Sequence, residues 1–252
     1  MKDSKELFSD RVEQYQAYRP GYPEEALRFL YEALDFASAA LVADIGSGTG
    51  IFTRALLERG SAVVAVEPNR EMRRAAEAAL SGYPGFRSVD GAAEATTLGD
   101  GSVDRIVSAQ AFHWFDIPGA KREFARILKP DGIVALVWNR RRTDAGPFAE
   151  AYERLLRTYG REYERVNHTN LKHEDFASFF RDGAYEKRTF AHRQTYDKEG
   201  LKGRTMSSSY CPLPGESNFE PMMSELERLF DETQRDGVVA FDYATEIFYG
   251  KV

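Results

Sequence analysis

The chain is poor in cysteine. Cys211 is the single cysteine among 252 residues, which excludes an internal disulfide framework and leaves no cysteine cluster to bind a metal. Three of the four histidines, His168, His173 and His192, lie in polar segments without metal-ligand spacing, and we expect them at the surface. The sequence therefore predicts no metal site.

Long apolar runs are also absent. None approaches the roughly 20 residues needed to span a bilayer, and the polar start of the chain is followed by no apolar stretch typical of a signal peptide. We expect no membrane partner and, by default, a cytoplasmic location. The net charge of -6 argues against a nucleic-acid partner. The short basic cluster of Arg140, Arg141 and Arg142 is interpreted as a solvated loop or an anion contact.

The apolar fraction of 42% can supply the core of one α/β domain with insertions. Strand and helix patterns alternate in the first half, which indicates a parallel sheet covered on both faces. Predicted strands lie at about 41–45, 62–67, 86–89, 103–108 and 133–138, and predicted helices at 24–36, 51–60, 68–80 and 118–128. Beyond them, helices are predicted at 146–166 and 219–233, and strands at 185–196 and 238–249.

The most informative segment is a glycine-rich turn between the first strand and the helix that follows. Asp44 lies next to the end of the strand, and Gly46, Gly48 and Gly50 follow with the spacing G-x-G-x-G. Glycine permits a sharp turn and close approach of a ligand to the backbone. Glu67 ends the second strand, where a carboxylate can accept hydrogen bonds from both hydroxyls of a ribose. The pattern predicts a site for an adenosine-type cofactor.

Two cofactors compete for this turn. A dinucleotide-binding turn has the spacing G-x-G-x-x-G and faces a pyrophosphate, which the carboxylate of Asp44 would repel. The same carboxylate suits a cofactor with a positive end, such as the ammonium and sulfonium of S-adenosylmethionine. A tight turn that binds nothing is the third interpretation.

The segment Val42 to Gly50 resembles the first motif of class I S-adenosylmethionine-dependent methyltransferases, and the likeness covers about residues 8–138. The resemblance implies a Rossmann-like, doubly wound α/β sheet of about seven strands. Most strands would be parallel, with an antiparallel strand near the C-terminus and a helical cap after strand five. We expect a single domain over 1–252, comprising an N-terminal lid and first helix (1–36), a cofactor-binding core (37–139), and cap helices with the final strands (140–252).

The resemblance also implies contacts with the cofactor. Asp44, Gly46, Ser47 and Gly48 would line its methionine and ribose side, and Glu67 would hold the ribose hydroxyls beside Pro68 and Asn69. The segment with Ala92, Ala93 and Glu94 matches the loop that cups the adenine, although many relatives have an acid where this chain has Ala92. Gln110 would lie near the methionine part. Tyr18 and Arg19 would close the site as a lid, with Arg19 positioned to pair with the cofactor's carboxylate.

The acceptor side is implied by a run after strand four, Gln110 to Phe115, which resembles a subgroup that includes methyltransferases of small acids such as trans-aconitate. His113 is a candidate base or acceptor-orienting group, and Trp114 a wall of the pocket. Arg204 and Tyr210 lie in a segment similar to a loop near the acceptor, where they would contact an anionic substrate.

These observations predict a methyltransferase that uses S-adenosylmethionine, releases S-adenosylhomocysteine and methylates a small molecule, at a carboxylate or hydroxyl oxygen, by in-line displacement. An RNA or protein methyltransferase, a non-catalytic cofactor-binding protein and a nicotinamide-dependent oxidoreductase remain alternatives. A monomer or a homodimer is expected.

Overall fold

The computed structural model describes residues 18–37, 39–163 and 171–252. Its seven strands are β1 (Leu41–Ile45), β2 (Ala62–Val66), β3 (Phe86–Val89), β4 (Val103–Ala109), β5 (Leu128–Arg141), β6 (Glu186–Tyr196) and β7 (Val239–Gly250). The α-helices in these ranges are α1 (Glu24–Ala33), α2 (Ile51–Leu57), α3 (Arg70–Leu80), α4 (Ile117–Ile127), α5 (Pro147–Tyr159), α6 (His173–Phe179), α7 (Lys198–Met206) and α8 (Phe219–Thr233). Short 3₁₀ helices cover Phe112–Trp114 and Arg181–Gly183.

The strands form one sheet in the order β3-β2-β1-β4-β5-β7-β6. Strands β1 to β5 are mutually parallel, whereas β7 runs antiparallel to both of its neighbours, β5 and β6. This arrangement confirms the predicted Rossmann-like sheet of seven mostly parallel strands with an antiparallel strand near the C-terminus. Because parallel strands share one direction, the loops after β1, β2, β3, β4 and β5 all emerge at the same edge of the sheet.

The sheet is buried on both faces, which explains why β2 is a continuous apolar run and β1 is apolar apart from Asp44. On one face, Leu27 and Leu30 of α1 pack with Val42 and Val63 in a core that α2 and α3 complete. On the opposite face, α4 and α6 cover a second core that contains Phe124, Phe179 and other buried aromatic rings. The central strands are therefore held firmly between two cores, and this packing fixes the points at which the loops leave them.

A third apolar cluster forms the cap beside the C-terminal end of β5. It joins α5, α7 and α8 to the first part of β7, with buried residues that include Tyr152, Leu156, Leu226 and Phe241. The cap confirms the predicted helices in this half, but α5 ends at Tyr159, where Gly160 leaves the helical conformation. Residues 164–166, which the pattern also assigned to this helix, lie outside the described ranges.

Several boundaries differ from those predicted. Strand β5 begins at Leu128, five residues early, because Leu128 pairs with Val103 before an irregularity restores the register at Arg105 and Ile133. Helices α6 and α7 were not predicted from the sequence. His173 is exposed, as expected, whereas His192 is half-buried with its ring 5.8 Å from that of Tyr243, so its expected surface position is confirmed only in part. His168 lies outside the described residues. Within the part of the chain that the structure describes, no helix is long and apolar enough to cross a membrane.

Candidate active site

A cavity of about 250 Å³ opens at the edge of the sheet where β1, β2, β4 and β5 end, between the sheet and the cap. Most of the site residues expected from the sequence line this cavity. They are Arg19, Asp44, Gly46, Ser47, Gly48, Glu67, Pro68, Asn69, Ala92, Ala93, Glu94, Gln110, Trp114, Arg204 and Tyr210. Residues that are as far apart in the sequence as Arg19 and Tyr210 therefore meet in one space.

The glycine turn wraps closely around the end of β1. Gly46, Gly48 and Gly50 all have positive φ, at 72°, 57° and 83°, a region in which a side chain would be strained. At Gly46 an added Cβ would lie 2.6 Å from the Cβ of Ala111, so this position also lacks room for a side chain. The glycines are thus required by the turn itself, and the backbone of Gly46 and Gly48 lines the cavity.

Glu67 connects the turn to the second strand. One carboxylate oxygen accepts a hydrogen bond from the backbone N–H of Gly48 (2.8 Å), and the other accepts one from the N–H of Asn69 (2.8 Å). The residue is 7% exposed, and burial raises the pKa of its carboxyl despite these two hydrogen bonds. The Asn69 side chain in turn accepts from the N–H of Met72 and caps α3. Glu67 is consequently locked in orientation at the cavity wall.

Asp44 is a buried carboxyl with one free acceptor. Its Oδ2 accepts a hydrogen bond from the Thr53 hydroxyl at 2.6 Å, whereas its Oδ1 has no hydrogen-bond partner within the described residues. Burial raises the pKa of Asp44 to about 7, the Thr53 hydrogen bond opposes this effect, and the charge of Glu67 adds to it. A buried acceptor without a donor is costly, and a cationic ligand in the cavity would relieve that cost.

The loops after β3 and β4 complete this acidic end of the cavity. An antiparallel bridge between Ala92 and Ala95 folds the first loop, and Glu94 accepts a hydrogen bond from the N–H of Asp116. Gln110 follows β4 with a φ of 60°, which is uncommon for a residue with a side chain. Strained backbone of this kind is common at ligand sites. A hydrogen bond from the N–H of Gln110 to the carbonyl of Val137 holds Gln110 in this conformation.

The opposite end of the cavity is basic and is built by the cap. Arg141, at the end of β5, donates from Nη2 to Glu153 (2.6 Å) and to the Tyr163 hydroxyl (3.3 Å). Arg204, on α7, donates to the Tyr243 hydroxyl and to Ser208. Arg19 reaches across from the segment before α1 and donates to the Ser207 carbonyl at 3.0 Å. The lid segment and the cap are thus linked over the cavity.

Two expected site residues do not line the cavity. Tyr18 packs against Gly203, where an added Cβ would lie 2.3 Å from its ring, so it fills the contact between the lid and α7. His113 lies beside Trp114 with their rings 4.7 Å apart, and Trp114 alone of the two lines the cavity. Neighbouring residues of a 3₁₀ turn point about 120° apart, which is consistent with Trp114 lining the cavity where His113 does not. Tyr18 and His113 are thus not among the residues that line the cavity, and the expected contacts of Tyr18 with the cofactor and of His113 with the acceptor stay predictions.

Several residues of the cavity wall were not predicted from the sequence. Asn139 and Thr143, at and after the end of β5, are among them, and the rule that ligands bind at the carboxyl ends of parallel strands could have identified them. Arg140 and Arg141, interpreted as a solvated loop or an anion contact, belong to β5 and line the cavity, so the solvated loop is wrong for these two residues. Tyr163 and Tyr243 also line the cavity but carry no such signal. Gly203 to Met206, expected as a loop, belong to α7, and Arg204 nevertheless reaches the cavity from that helix. Among the described residues, no group of three metal-binding side chains is present.

Comparison with known proteins places these features in a family. A family profile described as "Methyltransferase domain" matches residues 43–136. This range contains the glycine turn, all of β2, β3 and β4, and parts of β1 and β5. An uncharacterized methyltransferase of Mycobacterium tuberculosis is 44% identical over 140 residues, which is 56% of this chain and 55% of that protein. The match thus spans about half the length of that relative. An uncharacterized methyltransferase of Geobacillus kaustophilus is 30% identical over 202 residues, covering 71% of this chain and 92% of the relative.

Solved structures agree in fold. A candidate type II methyltransferase from Anaeromyxobacter dehalogenans has a TM-score of 0.62 at 21% identity, covering 93% of this chain and 98% of that one. The YcgJ protein of Bacillus subtilis has a TM-score of 0.59 at 21% identity, covering 91% and 100% of the two chains. At this identity the likeness shows the fold alone. Together with the nearly full-length Geobacillus relative and the glycine turn, it establishes that the chain belongs to the class I S-adenosylmethionine-dependent methyltransferases.

Proposed function

We propose that this chain transfers the methyl group of S-adenosylmethionine, the cofactor of its family, to an oxygen of a small-molecule acceptor. The observation that carries the proposal is the single cavity that joins an acidic end to a basic end. Asp44 and Glu67 line the acidic end, at the glycine turn, and Arg141 and Arg204 line the basic end, under the cap. Such a cavity can hold a cationic cofactor and a second molecule in contact.

The acidic end fits the cofactor. Glu67 already holds two backbone N–H groups, but a carboxylate has about four lone-pair sites, so each oxygen retains one for a ribose hydroxyl. Asp44 offers its unpartnered Oδ1 and a negative charge toward the cofactor's positive methionine end. Gly46 and Gly48 line the cavity with backbone that carries no side chain, so a ligand can approach it closely. We further propose that Ala92, Ala93 and Glu94 contact the adenine and that Gln110 contacts the methionine part.

The residues of the chain would act mainly by holding two molecules in line. When bound, S-adenosylmethionine supplies a methyl group that its sulfonium already activates, so proximity and orientation are the principal requirement. Trp114 and Tyr210 would pack against the acceptor, while Arg19 and the cap would limit the access of water. A general base is required only for an acceptor that must lose a proton during attack.

A calorimetric titration with S-adenosylhomocysteine tests the cofactor assignment, with NAD as the comparison. We expect a Kd of about 1–100 μM for S-adenosylhomocysteine and no measurable binding of NAD. Glu67→Ala should weaken binding by about tenfold or more, because two hydrogen bonds to a charged group are lost. Glu71→Ala is the matched control, since Glu71 is half exposed on the first turn of α3 and does not line the cavity. Preference for NAD would refute the proposal.

Transfer itself is tested with S-adenosylmethionine labelled in its methyl group. The acceptor panel contains small carboxylic acids, phenols and alcohols, with RNA and protein as the two macromolecular arms. We expect label in a small molecule and none in RNA or protein. Labelled RNA or protein would overturn the proposed acceptor class. Tight binding of S-adenosylhomocysteine without transfer to any arm would instead indicate a non-catalytic binding protein.

A further inference from the structure

Two buried arginines face the cavity from the cap side. Arg141 is the last residue of β5, and its side chain is 10% exposed. Arg204 lies on α7 and is 6% exposed. Both line the cavity, and Tyr243 relates them, because it pairs with Arg141 across β5 and β7 and its hydroxyl accepts from Arg204. Two guanidinium groups from separate elements are thus directed to one end of the site.

The positive charges of these two arginines are only partly balanced by the described residues around them. Arg141 forms an ion pair with Glu153 through Nη2, yet its buried Nη1 has no hydrogen-bond partner within the described residues. Arg204 donates to the hydroxyls of Tyr243 and Ser208, and among the described residues it forms no ion pair with a carboxylate. A buried charge without a counter-charge is expensive. Glu153 is therefore the carboxylate that pairs with Arg141, it also pairs with Arg157, and within the described residues Arg204 has no carboxylate partner.

A purely structural role accounts for these contacts less well. Arg141 lies over the Tyr152 ring at 4.8 Å, and both arginines connect the cap to the sheet. An aromatic face carries a quadrupole and a hydroxyl a dipole, however, and neither neutralises the net charge of a cation. A hydrophobic side chain of similar volume would pack in such a position without that cost. Retention of two arginines at a cavity wall is instead typical of a site that receives an anion.

The same excess of positive charge affects the pKa of the neighbouring Tyr210. Burial by itself raises the pKa of its phenol, but the guanidinium groups of Arg204, Arg141 and Arg19 outweigh burial and lower it. Its ring contacts that of Tyr163 at 4.9 Å, so the two tyrosines form an aromatic wall next to the arginines. The end of the cavity under the cap thus combines a positive field with apolar faces.

From this geometry we infer that Arg141 and Arg204 form an anion-binding subsite that holds the acceptor through a carboxylate or a phosphate group, with its apolar body against Tyr163 and Tyr210. The inference rests on the proposed methyl transfer and names the chemical class of its acceptor. Arg guanidinium groups bind both anions through paired N–H donors, so the experiment separates the two sources.

The test is calorimetry on protein saturated with S-adenosylhomocysteine, titrated with benzoate, phenyl phosphate and the neutral benzamide. The variants are Arg141→Met and Arg204→Met, which keep length and remove charge. Arg142→Met is the matched control, because Arg142 is the next residue along the chain, is exposed beside Asp144 and does not line the cavity. Circular dichroism and the Kd for S-adenosylhomocysteine report whether each variant is folded. If Arg204→Met does not fold, Arg141→Met carries the test.

We expect wild type to bind at least one anion about tenfold or more tightly than benzamide. Arg141→Met and Arg204→Met should each lose about tenfold in that affinity, whereas Arg142→Met and all affinities for S-adenosylhomocysteine should change by less than about threefold. Tighter binding of benzoate identifies the anion as a carboxylate, and tighter binding of phenyl phosphate identifies it as a phosphate. Equal binding of benzamide, an equal loss in Arg142→Met, or no anion binding at about 10 mM overturns the inference.

Failure of the proposed function gives a different result. If wild type does not bind S-adenosylhomocysteine, the methyl-transfer proposal fails, and the same three probes are then titrated into the unliganded protein. Anion binding that depends on Arg141 and Arg204 would still support the subsite there, and its absence would refute it.

Discussion

Replacing Asp44 by asparagine is expected to stabilise the unliganded protein at neutral and alkaline pH. Asp44 is fully buried, and burial raises the pKa of its carboxyl to about 7 although Thr53 donates a hydrogen bond to it. Above that pH the fold must hold an ionised group away from water, which opposes folding. Asparagine keeps the shape, can accept the Thr53 hydrogen bond, and carries no charge.

The magnitude follows from the two acid constants. The carboxyl has an ordinary pKa of 3.8 and a pKa of about 7 in the folded protein. The unfolded chain therefore releases its proton first as pH rises, so the free energy of unfolding falls between these values and stays low above pH 7. The whole change is about 4 kcal/mol, of which about 3 kcal/mol lies between pH 4.5 and pH 8.5. The new amide N–H₂ faces no acceptor and costs about 1–3 kcal/mol at every pH.

Comparison at two pH values removes this constant cost. Urea unfolding is followed by tryptophan fluorescence at pH 4.5 and 8.5 for wild type, Asp44→Asn and the control Asp131→Asn, whose carboxyl is exposed. The stability of Asp44→Asn relative to wild type should increase by about 3 kcal/mol from the lower to the higher pH, and that of Asp131→Asn by less than about 0.5 kcal/mol. A pH-independent difference for Asp44→Asn would refute the reasoning, since it would mean that Asp44 ionises as an exposed carboxyl does.

Two further predictions concern the free energy of unfolding of variants at Gly46 and Glu123. Gly46→Ala should cost at least about 1 kcal/mol more than Gly101→Ala in urea unfolding, because both glycines have positive φ but only Gly46 would place its Cβ against Ala111; equal costs would exclude the clash. Glu123→Gln should lose about 2 kcal/mol at pH 7, a difference that shrinks as pH falls from 4.5 toward 2. The Arg126 guanidinium, which is 38% exposed, lowers the pKa of Glu123 to about 2 against the effect of burial, and a loss as large at pH 2 as at pH 7 would contradict this sign.

The cofactor end of the site was predictable because its determinants are local in the sequence. A five-residue apolar strand, a turn that only glycines allow and an acid at the end of the next strand occur within 27 residues, from Leu41 to Glu67. The backbone geometry of such a unit is specified by its own residues. The order of strands and helices follows in the same way from apolar runs that are buried on both faces.

The basic end was less predictable because its residues come from distant elements. Arg141, Tyr163, Arg204 and Tyr243 belong to different segments of the chain, and they meet only once the cap has folded onto β5 and β7. Helices α6 and α7 have seven and nine residues, too few for a clear helical periodicity in the sequence. The direction of a single side chain could not be predicted either, since of the neighbours His113 and Trp114 only Trp114 lines the cavity.

The electrostatic polarity of the cavity bears on how two ligands would be ordered within it. Carboxyl groups at the glycine turn favour the cationic end of S-adenosylmethionine, and guanidinium groups under the cap favour an anionic acceptor. A molecule bound the wrong way round would face like charges in a buried space, where screening by salt is weak. Because such repulsion discriminates more sharply than attraction alone, the two buried sets of charge would serve selection of partners as much as affinity. That selection offers a physical reason for the chain to retain buried charges that cost it stability.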